Sequence, residues 1–317
     1  MPEHITAYAI GFQTWSVVPR HIDECFADMR DCGFNTVALS FSESELRYGC
    51  RNFVMQVEMA HKRGLQVDVV PSRMGGRFAG APLMPSLFLM AHGECVEPGY
   101  VSNLGPIACL HSLAYRNWMK KMIDLMVGRF GVDGIIWDEP KGTHHASTHP
   151  DTIATLGRPG TVEDTAESFR QFVSELNRQA RSHKADLHTT LFAQDGDPKH
   201  FTQVISRAEG LDYYGYDGNL APQAKGLGEP AWSKYRVDDP GVRRRFEAEA
   251  SSAGLKTFAL VENMMMPASS HPIYEQNLEA YLSGPLPDHL AIYYYGHENE
   301  DPEGLHAITK RLMRRYI

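Results

Sequence analysis

The nine residues Val132-Asp133-Gly134-Ile135-Ile136-Trp137-Asp138-Glu139-Pro140 are the most informative part of this chain. Ile135 and Ile136 predict a short buried strand, and Asp138 and Glu139 place two adjacent carboxylates at its end. In folds built from parallel strands, the groups that bind and react collect at the carboxyl ends of the strands. A strand that ends in two acids therefore indicates a functional site rather than a piece of core.

A short phrase recurs along the chain: a glycine, an apolar residue and a polar residue, followed by a strand-like segment. Its copies are Gly33-Phe34-Asn35, Gly64-Leu65-Gln66, Gly131-Val132-Asp133, Gly210-Leu211-Asp212 and Gly254-Leu255-Lys256. A glycine just past a helix can adopt the left-handed conformation that ends the helix, and the chain then turns directly into a strand. The phrase therefore predicts repeated helix–turn–strand units.

Apolar residues before these glycines follow the spacing of a helix that is covered on one face only. Ile22, Phe26 and Met29 show this spacing before the first glycine. We predict strands at about residues 7–15, 35–42, 66–72, 132–139, 187–195, 211–217, 255–262 and 289–296. Several of these segments are apolar almost throughout, which is typical of parallel strands buried on both faces.

Eight strand-like segments alternating with eight helical ones predict an α/β fold made of a single (β/α)8 barrel, also called a TIM barrel. The alternative is an open doubly wound sheet, which usually carries a glycine-rich phosphate-binding turn after its first strand. The segment Gly11-Phe12-Gln13-Thr14-Trp15 is not such a turn. Because the repeat occupies residues 4–317, we expect one catalytic domain over residues 1–317.

The composition of this 317-residue chain limits the kinds of partner that we expect it to bind. Its 43% hydrophobic and 22% charged residues are typical of a globular protein with a large core. The net charge of −8 comes without a long basic run, so nucleic acid is not expected as a partner. No stretch approaches the roughly 18 apolar residues of a membrane span, and no signal-peptide pattern opens the chain. The five scattered cysteines form no CxxC motif, so we expect a reducing cytoplasm and neither a zinc cluster nor a disulfide framework.

Polar and aromatic side chains dominate the predicted strand ends. Those that we expect to bind substrate are Gln13, Trp15, Trp137, Asp195, Tyr216, Asp217, Asn263, Tyr295 and His297. Aromatic rings stack on the C–H faces of a sugar, while carboxylates and amides hydrogen-bond its hydroxyl groups. A phosphorylated substrate would require glycine-rich turns, arginine or lysine, and these strand ends show a single arginine and no lysine. We therefore expect a neutral carbohydrate as substrate.

In these residues the chain resembles the glycoside hydrolases with (β/α)8 barrels. In the largest clan of retaining members, the acid/base is a Glu that ends strand four, often within Asn-Glu-Pro, and the nucleophile is a Glu that ends strand seven. Asp138-Glu139-Pro140 is similar to the first motif apart from Asp for Asn, and Leu260-Val261-Glu262-Asn263 is similar to the second. The resemblance implies Glu139 as the acid/base, Glu262 as the nucleophile, Asp138 as a further catalytic carboxylate and no cofactor.

A second glycosidase pattern is also similar to this sequence. In some α-glycosidase clans an Asp that ends strand four, often after an Asp-Gly-apolar run, is the nucleophile. The run 133–138 resembles that pattern, with Asp217 or Asp195 as the acid. Neighbouring residues on a strand point to opposite faces, so Asp138 and Glu139 cannot both point to the barrel axis unless the strand has already ended. We favour Glu139 as the residue that faces the axis and Asp138 as the one that orients it.

Cleavage of a glycosidic bond needs two carboxyl groups in different protonation states. A protonated group assists the leaving oxygen, and an ionised group faces the anomeric carbon. We expect the charge of Asp138 and a nearby ring of Trp137 to raise the pKa of Glu139, as suits the acid. We also expect a retaining enzyme, whose two carboxyl groups lie about 5–5.5 Å apart, against roughly 6.5–9.5 Å in an inverting one.

Two other classes of function fit the same barrel. A metal-dependent sugar isomerase or epimerase would bind a divalent ion through acids and histidines at the strand ends. The residues available for this role are Glu139, Asp195, Asp217, Glu262 and His297. A non-catalytic sugar-binding barrel would instead bind carbohydrate without turnover. The long connection at about residues 73–112 is interpreted as a lid or an oligomer contact, and the sequence leaves homo-oligomer formation open.

Overall fold

The computed structural model describes residues 1–9, 17–224, 235–294 and 297–317. Within these residues, eight parallel strands pair in chain order and form a closed barrel, because the last strand pairs with the first. The strands are β1 (His4–Ala9), β2 (Thr36–Ser40), β3 (Gln66–Val70), β4 (Gly134–Trp137), β5 (His188–Ala193), β6 (Tyr213–Asn219), β7 (Lys256–Glu262) and β8 (His289–Tyr293). Most strand residues are buried, as expected of a sheet that is covered on both faces.

Helices connect the strands and cover the outside of the barrel. The α-helices of the described residues are α1 (Pro19–Asp31), α2 (Cys50–Lys62), α3 (Leu87–Ala91), α4 (Leu113–Ile123), α5 (Pro150–Leu156), α6 (Val162–His183), α7 (Lys199–Ile205), α8 (Pro240–Ala253), α9 (His271–Ser283) and α10 (Pro302–Tyr316). The short helices α3 and α5 lie within the long connections after β3 and β4, and the other eight follow the strands one for one. The predicted (β/α)8 barrel is therefore confirmed. None of these helices is both long and apolar enough to cross a lipid bilayer.

The five glycines of the repeated phrase have the backbone conformation that the sequence predicts. Their φ angles are 92° at Gly33, 72° at Gly64, 74° at Gly131, 76° at Gly210 and 71° at Gly254. A residue with a Cβ atom is strained in this left-handed region, whereas glycine adopts it freely. Gly33, Gly64 and Gly254 come one or two residues past the ends of α1, α2 and α8, so there glycine lets the helix stop and the chain turn towards the next strand.

Alternation along each strand separates the residues that face the barrel axis from those that face the helices. The axis is filled by a cluster of buried side chains, namely Tyr8, Ala38, Val70, Ile136, Phe192, Tyr213, Phe258, Leu260, Ala291 and Tyr293. Asp138 comes two residues after Ile136, and Glu262 comes two residues after Leu260. Asp217 likewise comes four residues after Tyr213. These acids therefore lie on the axis-facing side of β4, β6 and β7, at the carboxyl ends of the strands.

The observed strands differ from the predicted ones by a few residues at one or both ends, and two of these differences bear on the site. Strand β1 begins at His4, and residues 10–16 of the predicted first strand lie outside the described residues. Strand β4 ends at Trp137, two residues before the predicted end at residue 139. The connection after β3 is the reason, since the N–H of Ala79 donates hydrogen bonds to the carbonyl oxygens of Asp138 (2.8 Å) and Glu139 (3.2 Å). The two acids therefore lie on a loop whose backbone is held by a neighbouring connection.

That connection after β3 is closely packed. The buried carboxylate of Glu43 accepts hydrogen bonds from the N–H of Gly75 (2.9 Å) and from the hydroxyl of Ser86 (2.7 Å). The buried guanidinium of Arg77 donates to the carbonyl oxygen of Lys141 (3.3 Å), and the N–H of Lys141 donates back to the carbonyl oxygen of Arg77 (2.9 Å). Buried polar groups of this kind hold a segment in one position because each would be costly to leave unpaired. That the connection after β3 serves as a lid or as an oligomer contact stays a prediction.

Candidate active site

Three acids from three different strands meet at the carboxyl end of the barrel. Glu139 follows β4, Asp217 lies in β6 and Glu262 ends β7, and one carboxylate oxygen of each lies within 4.8 Å of the others. All three side chains are buried. Carboxylates so close together and so far from water cannot all carry a charge at neutral pH, because both desolvation and mutual repulsion oppose it. The cluster must therefore hold protons or a cation.

The backbone of Glu139 explains how two neighbouring acids reach the same site. The strand has ended at Trp137, and Glu139 has a φ angle of 32°, in the left-handed region that is unfavourable for a residue with a Cβ. Asp138 keeps the axis-facing position, where its Oδ2 accepts a hydrogen bond from the hydroxyl of Tyr8 (2.7 Å). The exception that the sequence allowed, an early end of the strand, is what the structure shows.

Glu139 is the acid with the most favourable surroundings for a negative charge. Its Oε1 accepts a hydrogen bond from the side-chain amide of Gln194 (2.6 Å), and its Oε2 contacts the ammonium group of Lys141. Burial by itself would raise the pKa of Glu139, but the charge of Lys141 and hydrogen bonds from Asp217, Lys141 and Gln194 lower it below the ordinary glutamate value. Glu139 is therefore the ionised member of the cluster.

The other acids of the site have raised pKa values. Burial and then the charges of Glu139 and Glu262 raise the pKa of Asp217 well above the ordinary value. Burial and then the charge of Glu139 raise the pKa of Glu262 to about 8, and the same two causes raise the pKa of Asp138 to about 7. Acids of opposite protonation state therefore face each other across the barrel, which is the arrangement that acid–base chemistry requires.

The direction of the pKa shift at Glu139 corrects the sequence analysis, which expected the pKa to be raised. Burial opposes the ionisation of Glu139, but the charge of Lys141 and the hydrogen bonds that Glu139 accepts outweigh it. The ring of Trp137 is not involved, because it lies on the opposite face of β4. There its Nε1–H donates to Oδ1 of Asn177 (2.9 Å) and its ring packs on Phe78.

Several predicted substrate-binding residues are not brought to the cluster. Trp137 faces α6, and Tyr216 faces α8, where its hydroxyl donates to the carbonyl oxygen of Val237 (2.9 Å) and its ring stacks on Phe246. Asp195 pairs with Arg245 (3.1 Å) and is partly exposed. These three side chains have structural partners that account for them.

Two further predicted residues lie beside the cluster rather than in it. The side-chain amide of Asn263, next to Glu262, donates to the carbonyl oxygen of Tyr293 (2.8 Å) and so ties β7 to β8. His297 is exposed, and its carbonyl oxygen accepts a hydrogen bond from the N–H of Met265 (2.7 Å). The remaining predicted residues, Gln13, Trp15 and Tyr295, lie outside the described residues.

Sequence reasoning missed Lys141. The predicted fourth strand ends at Glu139, before Lys141, whereas the chain turns after Pro140 and brings the ammonium group of Lys141 onto Glu139. Gln194 was visible as a strand-end amide but carried no signal that it binds Glu139. A lysine two residues beyond a strand-end acid is a usable signal only when the turn between them is known.

The chemistry of the cluster also suits a hard divalent cation, which prefers several carboxylate oxygens. Glu139, Asp217 and Glu262 are the one group of three His, Cys, Asp or Glu side chains with this proximity in the part of the chain that the structure describes. Lys141 occupies one oxygen of Glu139 and supplies a positive charge of its own. The residues therefore fit a cation, although the ammonium group already meets part of the same electrostatic need.

Solved glycoside hydrolases have a fold similar to that of this chain. A GH36 α-galactosidase from Geobacillus stearothermophilus matches with a TM-score of 0.59 and 10% identity, over 99% of this chain and 42% of that chain. A β-galactosidase from Halorubrum lacusprofundi matches with a TM-score of 0.64 and 14% identity, over 99% and 58% respectively. The catalytic domain of a β-amylase from Paenibacillus polymyxa matches with a TM-score of 0.60 and 8% identity, over 100% and 98%. No protein-family model matches the chain, and no curated protein is similar to it in sequence.

These similarities concern architecture. They confirm the resemblance to glycoside hydrolases with (β/α)8 barrels at the level of the fold. The chain spans less than half of the α-galactosidase, at 42% of its length. Because one barrel fold carries many unrelated reactions, the function must be argued from the site itself.

Proposed function

We propose that this protein is a glycoside hydrolase, or a transglycosylase with the same site, that acts on a neutral oligosaccharide or glycoside. One observation carries the proposal: Glu139, Asp217 and Glu262 bring carboxyl oxygens within 4.8 Å of one another at the carboxyl end of the barrel. Their surroundings favour different protonation states, with Glu139 ionised and Glu262 protonated at neutral pH. Glycosidic cleavage needs one carboxyl group of each kind.

The protonation states support roles opposite to those that the first resemblance implies. Glu139, held by Lys141 and Gln194, is the nucleophile. Glu262 is the acid/base, since its pKa of about 8 leaves the proton in place at neutral pH and still lets it be transferred. The nucleophile then ends strand four, as in the second glycosidase pattern.

In the proposed reaction, an oxygen of Glu139 forms a bond to the anomeric carbon while the glycosidic C–O bond breaks. The electron pair of that bond goes to the leaving oxygen, which takes the proton of Glu262. Glu262, now ionised, then removes a proton from water or from an acceptor hydroxyl, whose oxygen displaces Glu139 from the anomeric carbon. Two displacements retain the anomeric configuration.

The separation of the acids supports retention over inversion. An inverting enzyme leaves roughly 6.5–9.5 Å between its carboxyl groups so that a nucleophilic water molecule fits between the anomeric carbon and the general base. Here carboxyl oxygens of Glu139 and Glu262 approach within 4.8 Å. That distance leaves room for a direct attack by Glu139 rather than for an intervening water.

The charge of the site supports a neutral substrate. Four buried acids, Asp138, Glu139, Asp217 and Glu262, lie at this end of the barrel, and the ammonium group of Lys141 contacts one of them, Glu139. Lys141 is already paired with Glu139, so a phosphate or a sugar acid would face the ionised Glu139 without a free ammonium group of this cluster to bind it. The solved structures of similar fold named above are those of galactosidases and an amylase, which supports the reaction class by analogy of fold.

A panel of aryl glycosides tests the proposal. We expect at least one to be cleaved, and we expect Glu139→Gln and Glu262→Gln each to lower kcat/KM by about 10³-fold or more while the fold survives. Glu58→Gln, an exposed change on α2, is the matched control and should leave activity intact. Proton NMR of the anomer released first should show the substrate's own configuration. Near-full activity in both amide variants would refute the assignment.

A metal-dependent sugar isomerase or epimerase is the second candidate, because the same three oxygens fit a divalent cation. It predicts that aldose–ketose or epimer interconversion is lost after treatment with a chelator and restored by Mn²⁺ or Mg²⁺. The glycosidase predicts cleavage that a chelator leaves unchanged. One set of assays, run with and without chelator, therefore separates the two candidates.

A further inference from the structure

The turn after β5, residues 194–197, lies against the connection that carries Glu139. The side chain of Asp197 uses both of its oxygens there. Its Oδ1 accepts a hydrogen bond from the hydroxyl of Thr143 in the connection after β4 (3.1 Å), and its Oδ2 accepts one from the backbone N–H of Gln194 (3.0 Å). The carboxylate of Asp197 therefore joins the connection after β4 to the end of β5.

This contact and the bond between Gln194 and Glu139 together close a ring of hydrogen bonds. The side-chain amide of Gln194 donates to Oε1 of Glu139 (2.6 Å), and the carbonyl oxygen of Gln194 accepts from the N–H of Asp197 (3.0 Å). The connection after β4 and the turn after β5 are thus joined at two points, one of which is Glu139 itself. Two points of contact fix the orientation of the two segments as well as their distance, which is what a precisely placed side chain requires.

The turn after β5 is held from behind by α8. The guanidinium of Arg245 donates to the carbonyl oxygens of Asp195 (3.0 Å) and Asp197 (3.2 Å), and it also pairs with the carboxylate of Asp195 (3.1 Å). The side chain of Arg245 is largely buried. Turn carbonyl groups that are paired with the protein rather than with water keep the turn in one position. The turn therefore gives Gln194 a fixed support.

A local role for Asp197 explains only one of its two bonds. An aspartate just before a helix often caps that helix, and Asp197 lies two residues before α7. No side chain of the described residues makes a capping hydrogen bond at the start of α7, however. The bond to the N–H of Gln194 keeps the turn closed, whereas the bond to Thr143 reaches a different segment. That second bond serves the position of the two segments relative to each other.

We propose that Asp197 is a positioning residue that keeps the side chain of Gln194 on Oε1 of Glu139 and so holds this carboxylate in place for attack. A displacement of about 1 Å at a reacting group can cost about 10²-fold in rate, so a support of this kind affects turnover. The effect on turnover rests on the proposed function. The effect on Gln194 does not, because it concerns hydrogen bonds that exist before any substrate binds.

Substitutions at Asp197 test the role through turnover of a cleaved aryl glycoside. Asp197→Ala removes both bonds, and we expect kcat to fall about 10²-fold while KM changes less than about twofold. Asp197→Asn keeps an acceptor for the N–H of Gln194 and gains an amide donor for the hydroxyl oxygen of Thr143, so kcat should stay within about threefold of the wild type. A loss in Asp197→Asn as large as in Asp197→Ala would overturn the proposal, because the charge rather than the position would then matter.

The bond between the two segments is tested by Thr143→Val, which keeps the shape of the side chain and removes its hydroxyl. We expect kcat to fall about tenfold. Thr148→Val, an exposed change in the same connection, is the matched control and should leave kcat unchanged. Equal activity of Thr143→Val and the wild type would contradict a role for this bond.

A double-mutant cycle tests whether the effect passes through Gln194. In Gln194→Leu the bond to Glu139 is already lost, so Asp197→Ala should cause no further loss of kcat in that background. An equal loss in both backgrounds would overturn the proposal, because Asp197 would then act independently of Gln194.

NMR of the side-chain amides, in protein that contains isotopically labelled glutamine, tests the position of Gln194 without substrate. The Gln194 signal, assigned by its loss in Gln194→Leu, should move in Asp197→Ala and in Thr143→Val and stay in place in Thr148→Val. A signal that stays in place in Asp197→Ala overturns the inference. If the signal moves but no glycoside is cleaved, the proposed function fails and the support of Gln194 by Asp197 stands. If it moves while Asp197→Ala cleaves glycosides with an unchanged kcat, the support has no part in turnover and the inference is overturned.

Discussion

The two ends of this barrel bury carboxylates in equivalent axis-facing positions but surround them differently. At the amino end, Asp68 of β3 is fully buried and lies 2.6 Å from Nε2 of His188 of β5. At the carboxyl end, Glu139, Asp217 and Glu262 face one another within 4.8 Å. The amino end therefore pairs one acid with imidazoles, whereas the carboxyl end gathers acids around one ammonium group.

The surroundings move the pKa values of the buried acids in opposite directions. Burial alone would raise the pKa of Asp68, but His188, His289 and His4 lower it below the ordinary value. Asp68 in turn raises the pKa of His188 against the effect of burial. At the carboxyl end, burial and like charges act together and raise the pKa of Asp217 and Glu262. Equal burial therefore gives a stable ion pair at one end and groups ready to exchange protons at the other.

Gly134 shows that the amino end is built for its ion pair. A Cβ atom at Gly134 would lie 2.3 Å from Nε2 of His188 and 2.4 Å from Oδ1 of Asp68. Only glycine leaves room for the two side chains to meet inside the barrel. At the carboxyl end, by contrast, Glu139 adopts a left-handed backbone conformation that costs free energy. One end of the barrel therefore holds a closely fitted ion pair, whereas the other carries backbone strain at the candidate site.

The largest effect on stability is expected at the amino end. Asp68→Asn removes the charge that His188 faces and leaves a buried imidazolium unpaired, which costs about 3 kcal/mol in the free energy of unfolding. Urea denaturation at about pH 6 measures it, with the exposed Asp186→Asn at the same end as the matched control. Turnover by the folded variant should stay close to that of the wild type. An unchanged free energy of unfolding would mean that the ion pair does not stabilise the barrel.

At the carboxyl end, removal of a buried acid is expected to raise the free energy of unfolding rather than to lower it. The pKa of Glu262 is raised to about 8, so the folded protein binds this proton more tightly than the unfolded chain does. Stability therefore falls as the pH rises from the ordinary glutamate value of about 4.3 towards the folded value. Glu262→Gln removes this penalty, and we expect a gain of about 1 kcal/mol at pH values of about 8 with none near pH 4. Thermal melts of both proteins across this range measure it, and a loss of stability at high pH would contradict the raised pKa.

The smallest expected effect is the pH dependence of the amino-end ion pair. The stabilisation from His188 is complete below the ordinary histidine pKa of about 6.5 and is lost as the pH rises through the raised folded value. The stabilisation from Asp68 is present above about pH 4 and is lost as the pH falls through the lowered folded value. The difference in unfolding free energy between wild type and Asp68→Asn should therefore be largest between about pH 4 and 6.5. A difference that keeps growing above that window would show that neutral His188, rather than the ion pair, is what Asp68 stabilises.

Local sequence signals were enough for the architecture and for part of the site. The turn glycines, of which Gly33 and Gly254 are examples, and the apolar periodicity of helices and strands predicted the closed barrel, because both depend on residues close together in the chain. The same alternation that puts Glu262 on the axis-facing side also puts Tyr216 on the other side, next to the axis-facing Asp217. If the two-residue alternation of side chains along a strand is applied strictly, Tyr216 points away from the barrel axis, and it is then not expected to contact a sugar.

By itself, then, the sequence determined the barrel, its closure in chain order and the presence of acids at the ends of the fourth, sixth and seventh strands. Only the tertiary structure decided what those acids face. The turn after Pro140 brings Lys141 onto Glu139, and the connection after β3 ends β4 early through the N–H of Ala79. Protonation depends on distances between residues that are far apart in the chain, and it varies steeply with those distances at low dielectric. Periodicity and motif spacing carry no information about such distances.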